Sequence, residues 1–259
     1  MNVLVFDIET VPDVELGRRL YNLDGLPDAE VAKAMFTLQR QRNGSEFLPH
    51  EQHRVVAISC VLRVSDTLRV WSLGEPTSGE DELVRRFFDG IERFSPCVVS
   101  WNGASFDLPV LHYRALKAGV QAPRYWETGD EDQSFRYNNY LGRYHWRHID
   151  LMDVLSGYQA RARASLTDVA GLLGLPGKLG YSGGRVADAF LAGQIVDIRR
   201  YCETDVLNTY LIFLRFELMR GNFSRERYAA EVERVKAYLR ASSEPHFAEF
   251  LRVWETGGA

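Results

Sequence analysis

An α/β fold, with a mixed sheet packed by helices, is predicted by two observations: strand-like segments gather before residue 102, and helix-like segments dominate after it. The chain has 259 residues, 46% of them hydrophobic, enough to bury a full-sized core. Residues 2–8 are apolar and β-branched and read as a buried strand ending at a pair of acids. Residues 12–54 are polar and helix-forming, with Gly-Ser and Pro breakers at 43–49, and read as a partly helical insertion. Segments 55–63 and 68–73 read as a hairpin turning at Ser65-Asp66-Thr67.

A helix over 80–94 carries Leu83, Phe87, Ile91 and Phe94 at helical spacing, and the short strand 97–101 follows. Further helices are expected at 105–118, 151–157, 166–173 and 185–192, with Ser165 or Thr167 capping the third of these, and a strand at 146–150. A glycine-rich connector covers 177–184. The stretch 195–219 is strongly helical and ends at Gly221, after which Ser224 opens a last charged amphipathic helix to about residue 240. The division expected is a principal domain over 1–220 and a helical extension over 221–259.

Composition narrows the function classes. The net charge of -4 excludes a general basic field for gripping long nucleic acid, so any such contact must be local. Cys60, Cys97 and Cys202 form no CxxC pair and read as buried thiols of a reducing compartment. The start of the chain lacks the pattern of a signal peptide, and no apolar run is long enough to span a bilayer; a cytoplasmic location with no membrane partner is the expectation.

Three acidic pieces carry chemistry. Asp7 and Glu9 stand two apart at a strand end, so the strand's period of two directs both to one face, where they repel unless a cation neutralises them. A solvated strand end accounts for that pair equally well. Asp107, in Trp101-Asn102-Gly103-Ala104-Ser105-Phe106-Asp107, falls where a strand passes into a helix; it either serves a ligand or caps the helix, with Ser105 a competing cap. Tyr201 and Asp205 lie four apart on one helix and address one site together, or share a surface hydrogen bond.

Taken in order, FDIET, NGASFD and YCETD resemble the three motifs of the DEDD exonucleases, and Tyr201, four before Asp205, resembles the DEDDy branch. Within it the chain resembles the stand-alone relatives of the exonuclease domain of family B DNA polymerases, from residue 1 to about 220. The resemblance implies a ribonuclease H-like fold, a five-stranded mixed sheet flanked by helices. It implies 3′-5′ exonuclease activity with two divalent cations, Mg²⁺ or Mn²⁺, about 4 Å apart. Asp7, Glu9 and Asp205 would hold the first and Asp7 and Asp107 the second, Asp107 directly or through water. Tyr201 would orient the attacking water as a donor.

The substrate implied is a nucleic-acid 3′ end, with single-stranded DNA favoured over RNA. Thr10, Val11, Asn102 and Phe106 flank the acids and are the candidates for holding the terminal nucleotide. Between Arg124 and His148 seven aromatics alternate with arginines; the segment either guides a single strand by stacking and charge or covers the sheet edge with its arginines paired to Glu127, Asp130, Glu131 and Asp132. Lys178 and the glycines around it either cradle a phosphate or simply connect. Asp150 and Asp153 read as helix caps or a layer behind the site. A haloacid-dehalogenase-like phosphatase is disfavoured because Glu9 stands where its acid/base aspartate would be. The alternative from another class is an inactive nucleic-acid-binding module of the same fold, against which the complete set of four acids and Tyr201 argues.

Overall fold

The computed structural model describes residues 2–178 and 183–257. Its sheet runs in the order β3-β2-β1-β4-β5, built from β1 (Val3–Pro12), β2 (His53–Val64), β3 (Thr67–Ser72), β4 (Cys97–Ser100) and β5 (His148–Asp150). β1 pairs antiparallel with β2 and parallel with β4, and β4 runs parallel to β5. This is the expected ribonuclease H-like mixed sheet. The first strand is longer than its apolar run suggested: it continues past Asp7 and Glu9 to Pro12, because the long β2 supplies ladder partners as far as His53. The register slips between Glu9 and Thr10, a bulge that bends the strand just beyond the second acid.

Eleven α-helices occur among the described residues. α1 (Val14–Tyr21) and α2 (Asp28–Asn43) form the insertion between β1 and β2, closing a small core of Val31, Met35 and Leu48. α3 (Glu80–Phe94), α4 (Asp107–Ala118) and the short α5 (Pro123–Trp126) cover one face of the sheet, where Leu4, Phe6, Ile8 and Ile58 meet Phe87, Phe88 and Leu111. The other face receives α6 (Leu151–Leu155), α7 (Leu166–Leu172), α8 (Val186–Leu191) and the long α9 (Ile195–Met219). There Val3, Val5, Val61 and Val99 pack on Val206, Tyr210 and Phe213. Ser165 caps α7 by accepting from the Asp168 N–H at 3.1 Å.

α10 (Arg225–Ala241) is not the last helix, as its pattern had implied; α11 (Pro245–Glu255) follows and inserts Phe247, Phe250 and Leu251 into the core shared with α9. A buried Arg63–Glu231 pair, 2.6 Å, ties α10 to β2, and the Tyr238 hydroxyl bonds Val70 on the edge strand β3. The charged helix therefore covers an exposed ladder edge. No helix among the described residues is long and apolar enough to cross a membrane.

The insertion is anchored by a buried charge cluster. Arg114 of α4 bonds Asp13 at 2.7 Å and also Glu80 of α3, and Glu80 in turn accepts the Val55 N–H at 2.7 Å. Burial would raise the Asp13 carboxyl, but hydrogen bonding to Arg114 and its charge leave it lowered. Its stabilising share is thus present above about pH 4 and is lost as the pH falls through the lowered value. Arg114→Met leaves two buried carboxylates without their guanidinium and is expected to cost about 3–5 kcal/mol in urea unfolding, most of it regained when Asp13→Asn and Glu80→Gln are added.

Candidate active site

The period of two along β1 decides where the first acids go. Val3 and Val5 face α9, and Asp7 and Glu9 continue that row, so the apolar face turns acidic where it meets the first turns of α9. On α9, Tyr201, Cys202 and Asp205 fall on one side at spacings of three and four. Oxygens of Asp7 and Glu9 and the Cys202 sulfur lie within 4.8 Å of one another. Asp107, the first residue of α4, does not cap its helix: its Oδ1 accepts the Ile8 N–H at 3.2 Å, holding it against β1 between the two acids of that strand.

Little positive charge balances these groups. Lys178 lies 3.2 Å from Asp205 Oδ2 and bonds the Tyr201 hydroxyl at 2.5 Å. It is held there by Asn208 of α9, which bonds both the N–H and the carbonyl of Gly177. The connector reading of Lys178 is thus replaced by a place inside the acidic centre; residues 179–182 of the connector lie outside the described residues. Asp205 Oδ1 is buried and has no hydrogen-bond partner among the described residues. An acceptor in that condition is costly unless a donor or cation fills it.

The protonation states record the crowding. Burial, then the charges of Asp107, Glu9 and Asp205, push Asp7 well above the usual carboxylate value. Burial and Asp205 do the same to Glu9. Asp107 is pushed to about 7 by burial, against the lowering effect of the Ile8 N–H, and burial also raises Asp205 although Lys178 opposes it. Burial and the charges of Asp205 and Glu9 drive the Tyr201 phenol far up, so it stays a donor. The Cys202 thiol is raised by burial and by Asp7, and stays protonated. Cys202 was not anticipated, yet its spacing of three from Asp205 was the available signal. Glu203 of the same motif points elsewhere, to Ser72 and His246, both at 2.7 Å.

The loop before Asp107 is set from behind by Asp150. Its two oxygens accept the N–H groups of Asn102 and Ala104, each at 2.9 Å, and it also caps α6. Asn102 takes a left-handed backbone, φ 66°, and Gly103 packs so tightly that a Cβ there would lie 2.4 Å from the Ser100 hydroxyl. Asp150 therefore acts behind the site rather than in it, while Asp153 turns to Arg143 and Arg163.

Beside Glu9 opens a cavity of about 570 Å³ lined by Thr10, Val11, Phe47, His53, Phe106 and Asp188. Of the four candidate nucleotide-binding residues it takes in Thr10, Val11 and Phe106, while Asn102 stands outside its lining. Phe47, a residue of the insertion that sequence reasoning did not single out, is largely exposed and meets the Phe106 ring at 5.3 Å. His50 donates to the Ser105 carbonyl at 2.8 Å, fastening the insertion to the loop. The His53 Nε2 donates to the Leu48 carbonyl and its Nδ1 accepts from Thr10 at 2.9 Å; burial lowers its pKa to about 4, so the ring is neutral.

The family model that matches residues 45–254 describes a predicted 3′-5′ exonuclease related to the exonuclease domain of PolB. The chain belongs to this exonuclease family. The matched span contains Asp107, Tyr201 and Asp205, and strand pairing brings Asp7 and Glu9, which precede it, to the same centre. DNA polymerase 1 of Sulfurisphaera ohwakuensis is 49% identical over 43 residues, 17% of this chain and 5% of that protein. The family B DNA polymerase of the archaeon Pyrobaculum calidifontis aligns in structure with a TM-score of 0.49 and 18% identity, over 100% of this chain and 30% of that one. The chain thus spans only a small part of either polymerase.

The segment 124–148 resolves into two sets. Tyr125, Phe135 and Tyr140 are core, whereas Trp126, Tyr137, Tyr144 and Trp146 are exposed. Of the pairings proposed for its arginines, Arg124–Asp132 forms at 2.8 Å, while Glu127 turns to the backbone N–H groups of Gly129 and Asp130.

The raised carboxyls prefer to hold protons in the folded chain. In EDTA, stability should therefore fall as the pH rises from about 4, the unfolded value, through the raised values, including the Asp107 value of about 7. A thermal-melt series in EDTA checks this, with Asp7→Asn expected to flatten the curve and stabilise the metal-free protein by about 1–2 kcal/mol.

Proposed function

We propose that the chain is a 3′-5′ exonuclease that hydrolyses the terminal phosphodiester of a single-stranded 3′ end with two divalent cations, Mg²⁺ or Mn²⁺. The observation that carries this reading is the convergence of Asp7 and Glu9 beside α9, where the charge of Asp205 acts on both and its own Oδ1 is buried and unpartnered. Hard carboxylate oxygens suit a hard divalent cation, and the residues present fit one. Asp7, Glu9 and Asp205 would hold the first ion, and Asp7 and Asp107 the second. Bound cations would supply an acidified water and neutralise the phosphate and the leaving oxygen.

The chain's own groups do the remaining work. Tyr201, protonated throughout the working pH range, donates to the attacking oxygen and aligns it with the phosphorus. Burial works against the Lys178 charge, but Asp205 and Asp7 hold its pKa above the ordinary value, so the ammonium persists and keeps Tyr201 and Asp205 oriented. Asp150 fixes the loop that carries Asp107. The cavity beside Glu9 falls within the roughly 300–1,000 Å³ range of small-ligand sites. It receives the terminal nucleotide, with Thr10, Val11 and Phe106 around it and Phe47 stacking on the base, while Asn102, outside the lining, shapes the loop that carries Phe106. Its aromatic wall from the insertion is the support for single strands over duplex ends. Residues 1–220 form the catalytic unit, and 221–259 the extension that braces α9.

End-labelled single-stranded DNA and RNA, incubated with Mg²⁺, Mn²⁺ or EDTA, test the reaction. A metal-dependent ladder shortening from the 3′ end is expected, abolished by Asp7→Ala and Asp205→Ala. Tyr201→Phe should lower kcat about 10–100-fold with little change in KM, as for a positioning donor lost from the transition state. Phe47→Ala should instead raise KM about tenfold, since one base–aromatic stack is worth about 1–3 kcal/mol. Folded wild-type protein that binds these oligonucleotides with no cleavage under either metal would move the reading to an inactive binding module.

A further inference from the structure

Ser105 and Phe106, successive residues of the loop before Asp107, line different cavities: Phe106 the one beside Glu9, Ser105 a second of about 440 Å³. Asp153, almost fully buried beneath the second cavity, accepts from Arg143 at 3.0 Å and from Arg163 at 2.6 Å. Asp153 holds both guanidiniums, the cavity's other carboxylate, Asp150, is taken up by the N–H groups of Asn102, Ala104 and Met152, and Arg163 Nε is buried without a hydrogen-bond partner. The Arg163 guanidinium also reaches the Ser105 hydroxyl at 3.3 Å. The floor of the cavity is thus physically joined to the loop that carries Asp107.

The walls are flat and aromatic. Tyr158 lines the cavity with the Arg143 guanidinium 5.4 Å from its ring centroid, and Tyr144 packs edge-on to it at 4.7 Å. Trp146 and His145 also line it. Tyr158 holds a left-handed backbone, φ 61°, a conformation costing a bulky side chain roughly 1–2 kcal/mol. A large ring is thus kept in that conformation at the cavity wall, between the Arg143 guanidinium and Tyr144.

We propose that this cavity is a second nucleotide subsite, in which Arg143 and Arg163 take a phosphate and Tyr158 and Trp146 flank the base. It rests on the exonuclease reading only in naming its occupant as the substrate strand, a nucleotide or more upstream of the terminal one across the Ser105–Phe106 loop. The same chemistry fits a free mononucleotide, and the experiment separates the two sources. His112 and His148, which also line the cavity, are both lowered to about 4 by burial and stand neutral beside Arg143 and Arg163.

The test is fluorescence anisotropy of the full chain in EDTA with a 5′-labelled thymidine hexanucleotide, and its displacement by thymidine 5′-monophosphate. Arg143→Gln and Arg163→Gln are each expected to weaken the hexanucleotide about tenfold, the loss of one charge-assisted phosphate contact. Tyr158→Gly relieves the strained backbone while removing the ring, so it should melt no lower than wild type yet bind about tenfold more weakly. If the monophosphate competes with wild type and its affinity falls in the same variants, the site takes free nucleotide. If only the hexanucleotide responds, the site reads the strand. No binding of either probe by wild type, or unchanged affinities in folded Arg143→Gln and Tyr158→Gly, overturns the subsite. Binding that responds as expected without hydrolysis in Mg²⁺ or Mn²⁺ would instead remove the exonuclease reading and leave the subsite standing.

Discussion

Four carboxylates gathered where the sheet meets α9 are the constraint to which the rest of the structure answers. In a low-dielectric setting such groups repel and each is costly to ionise. The fold offsets the cost in three ways visible in the geometry: one lysine reaches in from the connector, one backbone N–H from β1 supports Asp107, and the carboxyls shift upward toward their protonated forms. The remaining deficit sits on Asp205 Oδ1. A centre built this way is less stable empty than filled, a familiar cost of sites made to bind cations.

The acids hold their places through elements that never touch them. Asp150 stands behind the loop and bonds its backbone; Arg114 locks the insertion to α3 and α4; Asn208 pins the segment carrying Lys178. The insertion closes one side of the centre through Phe47 and His50, so access and chemistry are joined through the single loop from Asn102 to Phe106. That loop accepts a left-handed asparagine and a glycine pressed onto Ser100, local costs that persist because surrounding bonds determine them.

Several elements were legible before any coordinates. The hairpin of β2 and β3, α3 and α9 follow directly from β-branched runs and helical spacing, and each lies within a few residues of its expected bounds. The length of β1 was not legible, since acids interrupt its apolar run and only the β2 ladder shows that pairing continues. α11 was legible, since Pro245 opens it and Phe247, Phe250, Leu251 and Trp254 keep helical spacing, although the expectation stopped at α10. Tyr125, Phe135 and Tyr140 could not be told from their exposed neighbours, because a loop has no period to assign a face.

By itself the sequence determined the local placement of the acids and the tyrosine: Asp7 with Glu9 on one strand face, Tyr201 with Asp205 on one helix face, and Asp107 at a strand–helix junction. Fixed periods of two and 3.6 residues suffice for relations within an element. Only the tertiary structure decided that these faces meet, that Lys178 and Cys202 join them, that Glu203 turns away, and that Asp150 works from behind. Those relations join residues far apart in the chain, and packing of whole elements, with its burial and electrostatic costs, selects them.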